Sequence, residues 1–142
     1  GGTRGGGSGR AAKRAAARGA SVRIKRGFNC AAPGGELYAA EDVAIGPRTD
    51  GGPSGSLILG PSLGLPTIAA NRPAYAEVIA DGTCGWLFEA DVASLRAAIE
   101  EASADPAAAR AKGRTALSLM SGRSWAEIAH RTAALLRAPA AQ

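Results

Sequence analysis

The feature that most constrains the fold of this chain is an alternation of short apolar runs with helical segments. Each run is too short for a helix and is bounded by Gly, Pro or polar residues, which favours a β-strand. The predicted strands are residues 22–24, 43–45, 67–70 and 85–88. Because strands joined through helices pair in parallel, the pattern predicts an α/β fold, a parallel sheet with helices on both faces.

Two short helices are predicted between the later strands, and the C-terminal third is predicted to be helical. The segment 54–63 begins with a Gly/Ser turn, and the segment 73–80 begins with Pro73, a residue favoured in the first helical turn. Asp91 is placed to cap the next helix. The residues predicted to share one face of that helix are Val92, Leu95 and Ile99.

Two further helices follow, each with a recognisable start. Asp105 followed by Pro106 is an N-cap with proline in the first turn, and this helix is predicted to end near Leu119. Ser124 and Glu127 have the spacing of a capping box and open the last helix. Its predicted buried side consists of Trp125, Ile128, Thr132, Leu135 and Leu136.

The net charge of +5 is concentrated near the N-terminus. Residues 1–26 carry eight basic residues and no acid, whereas the rest of the chain carries nine basic and twelve acidic residues. The folded part is therefore mildly acidic, and its composition does not indicate a nucleic-acid-binding domain. Residues 1–26 are predicted to be loosely ordered and solvated, with contact to anionic lipid or nucleic acid as the alternative.

Composition and spacing also exclude several classes of protein. No apolar run approaches the ~20 residues that span a bilayer, and the Gly/Arg-rich start lacks the apolar core of a secretion signal. Cys30 and Cys84 have no metal-binding spacing, so both are predicted to be free thiols in a reducing, cytoplasmic compartment. His130, the only histidine, is predicted to be a solvated helical residue, and no metal site is predicted.

A candidate ligand site lies where the predicted strands end. In a parallel α/β sheet, ligands bind beyond the carboxyl ends of the strands. The loops at those ends are residues 27–30, 46–54 and 71–73. The second loop leads into a turn of Ser54, Gly55 and Ser56, where a helix start presents free N–H groups and the positive end of its dipole. This turn suggests a site for a phosphorylated ligand, against the alternative of an ordinary serine-capped helix.

Four local patterns, in order along the chain, are similar to those of a known family. The segment 36–47 resembles the pattern L-x-x-A-D-V-x-V-x-P, and the segment 55–69 resembles a donor-site helix followed by G-x-P-V-V-A. The segment 73–88 resembles G-x-x-E-V-I-x-D-G-x-x-G-x-L-V, and residues 124–125 resemble a C-terminal S-W helix start. Over residues 21–137 the chain therefore resembles the nucleotide-sugar-binding, C-terminal half of a group 1 retaining glycosyltransferase of the GT-B fold.

The resemblance implies a Rossmann-like donor-binding domain over residues 21–138, with a basic segment at 1–20 and a tail at 139–142. It implies transfer of a sugar from a nucleoside diphosphate to an acceptor, with the nucleotide sugar as substrate and no other cofactor. The acceptor-binding half is expected outside this chain, so the 142 residues alone are expected to transfer no sugar. No catalytic residue is assigned to this half.

The resemblance also implies which residues hold the donor. Ser54 and the backbone amides of Gly55, Ser56 and Leu57 are the candidates for the diphosphate. The remaining candidates are Phe28 and Asn29 at the base pocket, Arg48 and Arg72 beside the phosphate charge, and Glu77 on a donor hydroxyl. The simpler alternatives are a turn with one buried aromatic, two ordinary surface arginines, and a glutamate that caps a nearby turn.

Two other functions are alternatives to the transferase. Many family members carry two glutamates at the positions of Gly51 and Leu59, whose side chains accept no hydrogen bond. This departure favours a non-catalytic α/β domain that binds a nucleotide or a protein partner. A basic nucleic-acid-binding protein would instead bind through residues 1–26 with a steep salt dependence. The preferred prediction has no nucleic-acid partner and leaves peripheral association with a membrane open.

Overall fold

A computed structural model of the chain describes residues 38–49, 55–79 and 82–137. Several sequence-based predictions therefore fall on residues outside the described part. These are the strand at 22–24, the base-pocket candidates Phe28 and Asn29, the Cys30 thiol, the Ser54 side of the Gly/Ser turn, and the segment boundaries at 20 and 138.

The described strands form one parallel sheet. They are β1 (Ala44–Gly46), β2 (Thr67–Ala70) and β3 (Gly85–Phe88), in the order β1-β2-β3, and both neighbouring pairs are parallel. In the register, Ala44 lies opposite Thr67. The structure confirms three of the four predicted strands and their parallel pairing, with β1 shifted by one residue from the predicted 43–45.

Five helices lie wholly within the described ranges and follow the pattern that the sequence predicts. They are α1 (Gly55–Ser62), α2 (Pro73–Ile79), α3 (Val92–Ala104), α4 (Pro106–Ser121) and α5 (Trp125–Arg137). The starts of α2, α3, α4 and α5 agree with the predictions because caps and proline positions are local signals. Two ends differ by a residue or two: α1 ends at Ser62 and not at Leu63, and α4 continues past Leu119.

Helix α1 runs antiparallel to the strands beside it. A Cβ built on Gly46, at the carboxyl end of β1, would lie 2.8 Å from Cδ1 of Leu57, near the start of α1. A Cβ built on Gly60, near the end of α1, would lie 3.1 Å from both Ala44 Cβ and Thr67 Oγ1, at the amino ends of β1 and β2. The N-terminus of α1 therefore lies at the carboxyl edge of the sheet.

Helices cover both faces of the central strand. All four residues of β2 are buried, so both faces of this strand are shielded from water. Thr67 points to the face of the sheet that α1 covers. Ile68 points to the opposite face and lies beside Trp86 of β3. The indole N–H of Trp86 donates to Glu101 of α3 at 2.8 Å, so α3 covers that second face. The described residues therefore confirm an α/β fold with a parallel, Rossmann-like sheet and helices on both faces.

The side of α3 that packs on the sheet is made mainly of small residues. Val92 and Ile99 are exposed, and the residues that α3 buries are Ala98 and Ala102, with Leu95 half-buried beside them. Alanines let the helix axis approach the sheet more closely than a valine or isoleucine would. The apolar periodicity identified the helix correctly, but the larger residues did not mark its buried side.

The predicted buried side of α5 is wrong, because α5 buries none of its residues. Thr132 is exposed, and so are the four large apolar side chains of that side, Trp125, Ile128, Leu135 and Leu136. A helical pattern shows that a helix has an apolar face. Whether another element covers that face depends on packing, and no element in the described ranges buries this one.

The predicted helix caps form as side-chain hydrogen bonds. Asp91 Oδ1 accepts from the Ser94 N–H at 2.8 Å, and Asp105 Oδ1 accepts from two N–H groups of α4 at 2.9 and 3.0 Å. Ser124 Oγ accepts from the Glu127 N–H at 3.2 Å. The Glu127 carboxylate accepts from Arg131 Nε at 2.7 Å, so α5 uses this acid for an ion pair along the helix.

We expect Asp105→Ala to lower the free energy of unfolding by about 1 kcal/mol, because two N–H groups of α4 lose their side-chain acceptor. Urea denaturation followed by circular dichroism measures this change. Asp105→Asn is the control, since it keeps an oxygen at the cap. Equal midpoints for the alanine and asparagine variants would contradict the capping role.

Candidate functional site

The carboxyl ends of the three strands meet along one edge of the sheet, and several polar residues gather there. Arg48 follows β1, Asn71 and Arg72 follow β2, and Glu89 follows β3. The N-terminus of α1 lies at the same edge. The structure therefore places residues from all three described loops, together with one helix start, where ligands of parallel α/β sheets bind.

The start of α1 is open on its outer side. Gly55 is exposed, and a Cβ built on it would meet no atom within 4 Å. Leu57 is 4% exposed and its side chain packs beneath Gly46, so only its backbone remains a candidate for ligand contact. The side chain of Ser56, like Ser54, is outside the described part. An anion could approach the amides at Gly55 without meeting a side chain of that residue.

The two predicted arginines both lie at this edge. Arg72 is half-buried and directly precedes α2. Its carbonyl accepts from the Tyr75 and Ala76 N–H groups of that helix at 2.9 and 2.8 Å. Arg48 is exposed in the loop between β1 and α1. Both arginines therefore belong to loops that leave the carboxyl edge of the sheet, the edge at which α1 also begins.

Glu77 is less well placed than the arginines. It is exposed and lies in the second half of α2. Because α2 begins at the carboxyl edge and rises about 1.5 Å per residue, Glu77 lies roughly 6 Å along the helix from its start. The structure separates it by about one turn from the edge where the arginines lie.

A contact between the ends of β2 and β3 was missed by the sequence analysis. Asn71 Nδ2 donates to Glu89 Oε1 at 2.8 Å, and the Asn71 N–H donates to the Phe88 carbonyl at 2.7 Å. The Glu89 N–H in turn donates to Ser94 Oγ of α3 at 2.8 Å. Both side chains directly follow a predicted strand, and that position was the available signal. The pair places an exposed carboxylate at the same edge of the sheet as the start of α1.

A second missed cluster lies around Trp86. Its indole N–H donates to Glu101, and Lys112 Nζ lies 5.2 Å from the ring centroid, in the geometry of a cation–π contact. Lys112 also donates to the Gly82 carbonyl. The three side chains satisfy one another, so the cluster holds α3 and α4 on β3 and offers little to a ligand.

Cys84 and His130 are the other side chains of the described residues that the sequence singled out for their chemistry. Cys84 is a free, fully buried thiol, and burial raises its pKa above the ordinary value although the Arg123 and Lys112 charges act in the opposite direction. The thiol is therefore neutral and shielded, which makes it a poor nucleophile. His130 is exposed on α5, as predicted. The described residues contain no group of three or more His, Cys, Asp or Glu that could hold a metal ion.

Within the described residues, the carboxyl edge of the sheet combines the start of α1, the two arginines and the Asn71–Glu89 pair. Within the described ranges, no helix has the length and apolar character needed to cross a bilayer. Comparison of the chain with protein-family models, with curated proteins and with solved structures finds no match.

Proposed function

We propose that this chain is the donor-binding half of a glycosyltransferase of the GT-B fold, of the group 1 retaining type. It would hold a nucleoside diphosphate sugar at the carboxyl edge of its sheet, while a second domain binds the acceptor. The proposal rests on the four ordered sequence patterns together with a parallel sheet of the right class.

The single observation that best supports a phosphate site is the open start of α1. The helix begins at the carboxyl edge, Gly55 is exposed, and no atom lies within 4 Å of a Cβ built there. Free backbone N–H groups and the helix dipole favour an anion at such a position. Arg48 and Arg72 add positive charge at the same edge.

In this proposal, the domain contributes to catalysis by stabilising the leaving group. As the bond between the sugar and the diphosphate breaks, negative charge grows on the diphosphate oxygens. Fixed N–H groups and guanidiniums stabilise that charge more strongly in the transition state than in the ground state, which lowers the barrier. No nucleophile, metal or cofactor is assigned to this half.

Substitution of Gly55 by valine is the direct test. Valine adds bulk where a diphosphate would approach, so we expect the binding of a nucleoside diphosphate to weaken by at least about tenfold, or ~1.4 kcal/mol. Isothermal titration calorimetry of the full chain with UDP, GDP and ADP measures the effect. Because a Cβ at Gly55 meets no atom, a folding defect is not expected to obscure the result.

Two control variants make the comparison specific. Gly122→Val adds the same side chain at another exposed glycine, the C-cap of α4. A Cβ there would lie 3.7 Å from its nearest neighbour, the Leu119 carbonyl oxygen, so the added side chain has room. Arg14→Ala removes charge from the basic N-terminal segment. Both should leave diphosphate binding nearly unchanged at moderate salt. Binding that is insensitive to Gly55→Val but lost in Arg14→Ala would place the ligand on the basic segment and refute the proposal.

A non-catalytic nucleotide- or partner-binding domain is the second candidate, and one observation favours it. Leu59, at a position where many family members carry a glutamate, is 42% exposed on α1 and offers no hydrogen bond to a ribose. A titration with nucleotide sugars separates the two candidates. Saturable binding that depends on the sugar supports the transferase, whereas equal affinity for the free diphosphate and its sugar ester supports the binding domain.

A further inference from the structure

The segment that joins β2 to α2 is tied to the end of β3 by two hydrogen bonds. The Asn71 N–H donates to the Phe88 carbonyl at 2.7 Å, and Asn71 Nδ2 donates to Glu89 Oε1 at 2.8 Å. The first is a bond between two backbones, whereas the second depends on the Glu89 side chain. The Glu89 carboxylate therefore holds the β2–α2 segment against the loop that follows β3.

The backbone of Glu89 is itself fixed by the start of α3. The Glu89 N–H donates to Ser94 Oγ at 2.8 Å, and the Glu89 carbonyl accepts from the Asp91 N–H at 2.6 Å. Ser94 lies in the first turn of α3, and its N–H donates to the capping carboxylate of Asp91 at 2.8 Å. These bonds restrict the position from which Glu89 reaches Asn71, so the acceptor is held in place before a ligand arrives.

Arg72, the residue after Asn71, is held on its other side by α2. Its carbonyl accepts from the Tyr75 and Ala76 N–H groups at 2.9 and 2.8 Å. Arg72 is half-buried, yet its guanidinium has no hydrogen-bond or ion-pair partner among the described residues. A charge that is partly removed from water is stabilised by a partner of opposite charge. The guanidinium is therefore available to an anion at the carboxyl edge.

We infer that Glu89 is a positioning residue for the diphosphate site and that it acts through Asn71 on Arg72. The inference rests on the proposed function, because it assigns a role at the same edge of the sheet. An arginine whose backbone is fixed in advance loses less conformational freedom when it contacts a phosphate, so the ligand binds more tightly. The Glu89 carboxylate contacts Asn71 and not the ligand.

The charge of Glu89 has an effect of the opposite sign. A carboxylate at the same edge as a diphosphate repels it and weakens binding. Substitution of Glu89 by glutamine separates the two effects, because a glutamine keeps an oxygen that accepts from Asn71 Nδ2 but carries no charge. Substitution by alanine removes both the acceptor and the charge.

Isothermal titration calorimetry of the full chain tests the inference, with whichever of UDP, GDP and ADP the parent binds most tightly. We expect Glu89→Ala to weaken binding by about threefold to tenfold. Glu89→Gln should bind at least as tightly as the parent. In an Arg72→Ala background, Glu89→Ala should cause no further loss, because its effect passes through Arg72.

Glu100→Ala is the matched control. It removes another exposed carboxylate that accepts a hydrogen bond, from Arg96 Nε at 2.7 Å, but in the second half of α3. Diphosphate binding should not change in this variant. Circular dichroism of each variant at the temperature of the titration verifies that the chain is folded.

The possible results separate this inference from the proposed function. The inference alone is overturned if Glu89→Ala binds like the parent or more tightly, or if Glu89→Gln loses as much affinity as Glu89→Ala. It is also overturned if the loss from Glu89→Ala persists in full in the Arg72→Ala background. A parent chain that binds none of the three diphosphates would overturn the proposed function and this inference together.

Discussion

We expect Gly85→Ala to destabilise the protein by at least about 3 kcal/mol, at the upper end of what overpacking usually costs. Gly85 begins β3 and lies opposite Thr67 of the central strand in the sheet register. A Cβ on Gly85 would overlap the Thr67 carbonyl oxygen and would lie 2.8 Å from the Thr67 nitrogen. These are backbone atoms of a fully buried strand, so no side-chain rotation can relieve the overlap.

Chemical denaturation followed by circular dichroism measures this loss. Gly55→Ala is the control, because a Cβ at that glycine meets nothing within 4 Å. The control should change the unfolding free energy by only a few tenths of a kcal/mol. A Gly85→Ala variant whose stability matches that control would show that β2 and β3 do not approach each other as described.

Gly113→Ala is expected to destabilise the protein by about 2–3 kcal/mol, although helix propensity alone predicts a gain of about 1 kcal/mol. Gly113 is buried within α4, where the helix crosses the turn before β2. A Cβ would overlap the Gly64 carbonyl oxygen and would lie 3.0 Å from Pro66 Cδ. The Gly64 and Leu65 N–H groups donate to the Pro61 and Gly60 carbonyls, both at 3.0 Å, so these hydrogen bonds resist movement of the turn away from α4.

The sign of the change in the free energy of unfolding decides whether helix propensity or the overlap with the Gly64 turn has the larger effect. Ala111→Gly, at an exposed position of the same helix, calibrates the propensity effect and should cost about 1 kcal/mol. Thermal and urea unfolding of both variants give the comparison. A Gly113→Ala protein more stable than the parent would mean that propensity outweighs the contact with the turn.

Local signals in the sequence were sufficient to locate most elements. The strands at 67–70 and 85–88 were predicted to the residue. Asp91 and Asp105 are the N-caps of α3 and α4, as predicted. These features depend on residues within a few positions of each other. An apolar run, a capping residue and a proline in the first turn favour a strand or a helix without any tertiary contact. The sequence alone was therefore enough to locate these elements.

The candidate site could be predicted only in part. The carboxyl edge and the start of α1 follow from the strand–helix alternation, because parallel sheets place their loops at one edge. The Asn71–Glu89 contact joins residues 18 positions apart, and its formation depends on β3 lying beside β2. No local pattern contains that information.

Packing across the fold decided what the sequence could not. Helices α3 and α5 both have apolar faces, yet α3 buries Ala98 and Ala102 whereas α5 buries nothing. The hydrogen bond from Lys112 to the Gly82 carbonyl joins residues 30 positions apart, so it too depends on the arrangement of the elements in space. Periodicity determines which residues share a face. Only the arrangement of the elements in space determines which face another element covers, because burial depends on contacts between residues far apart in the chain.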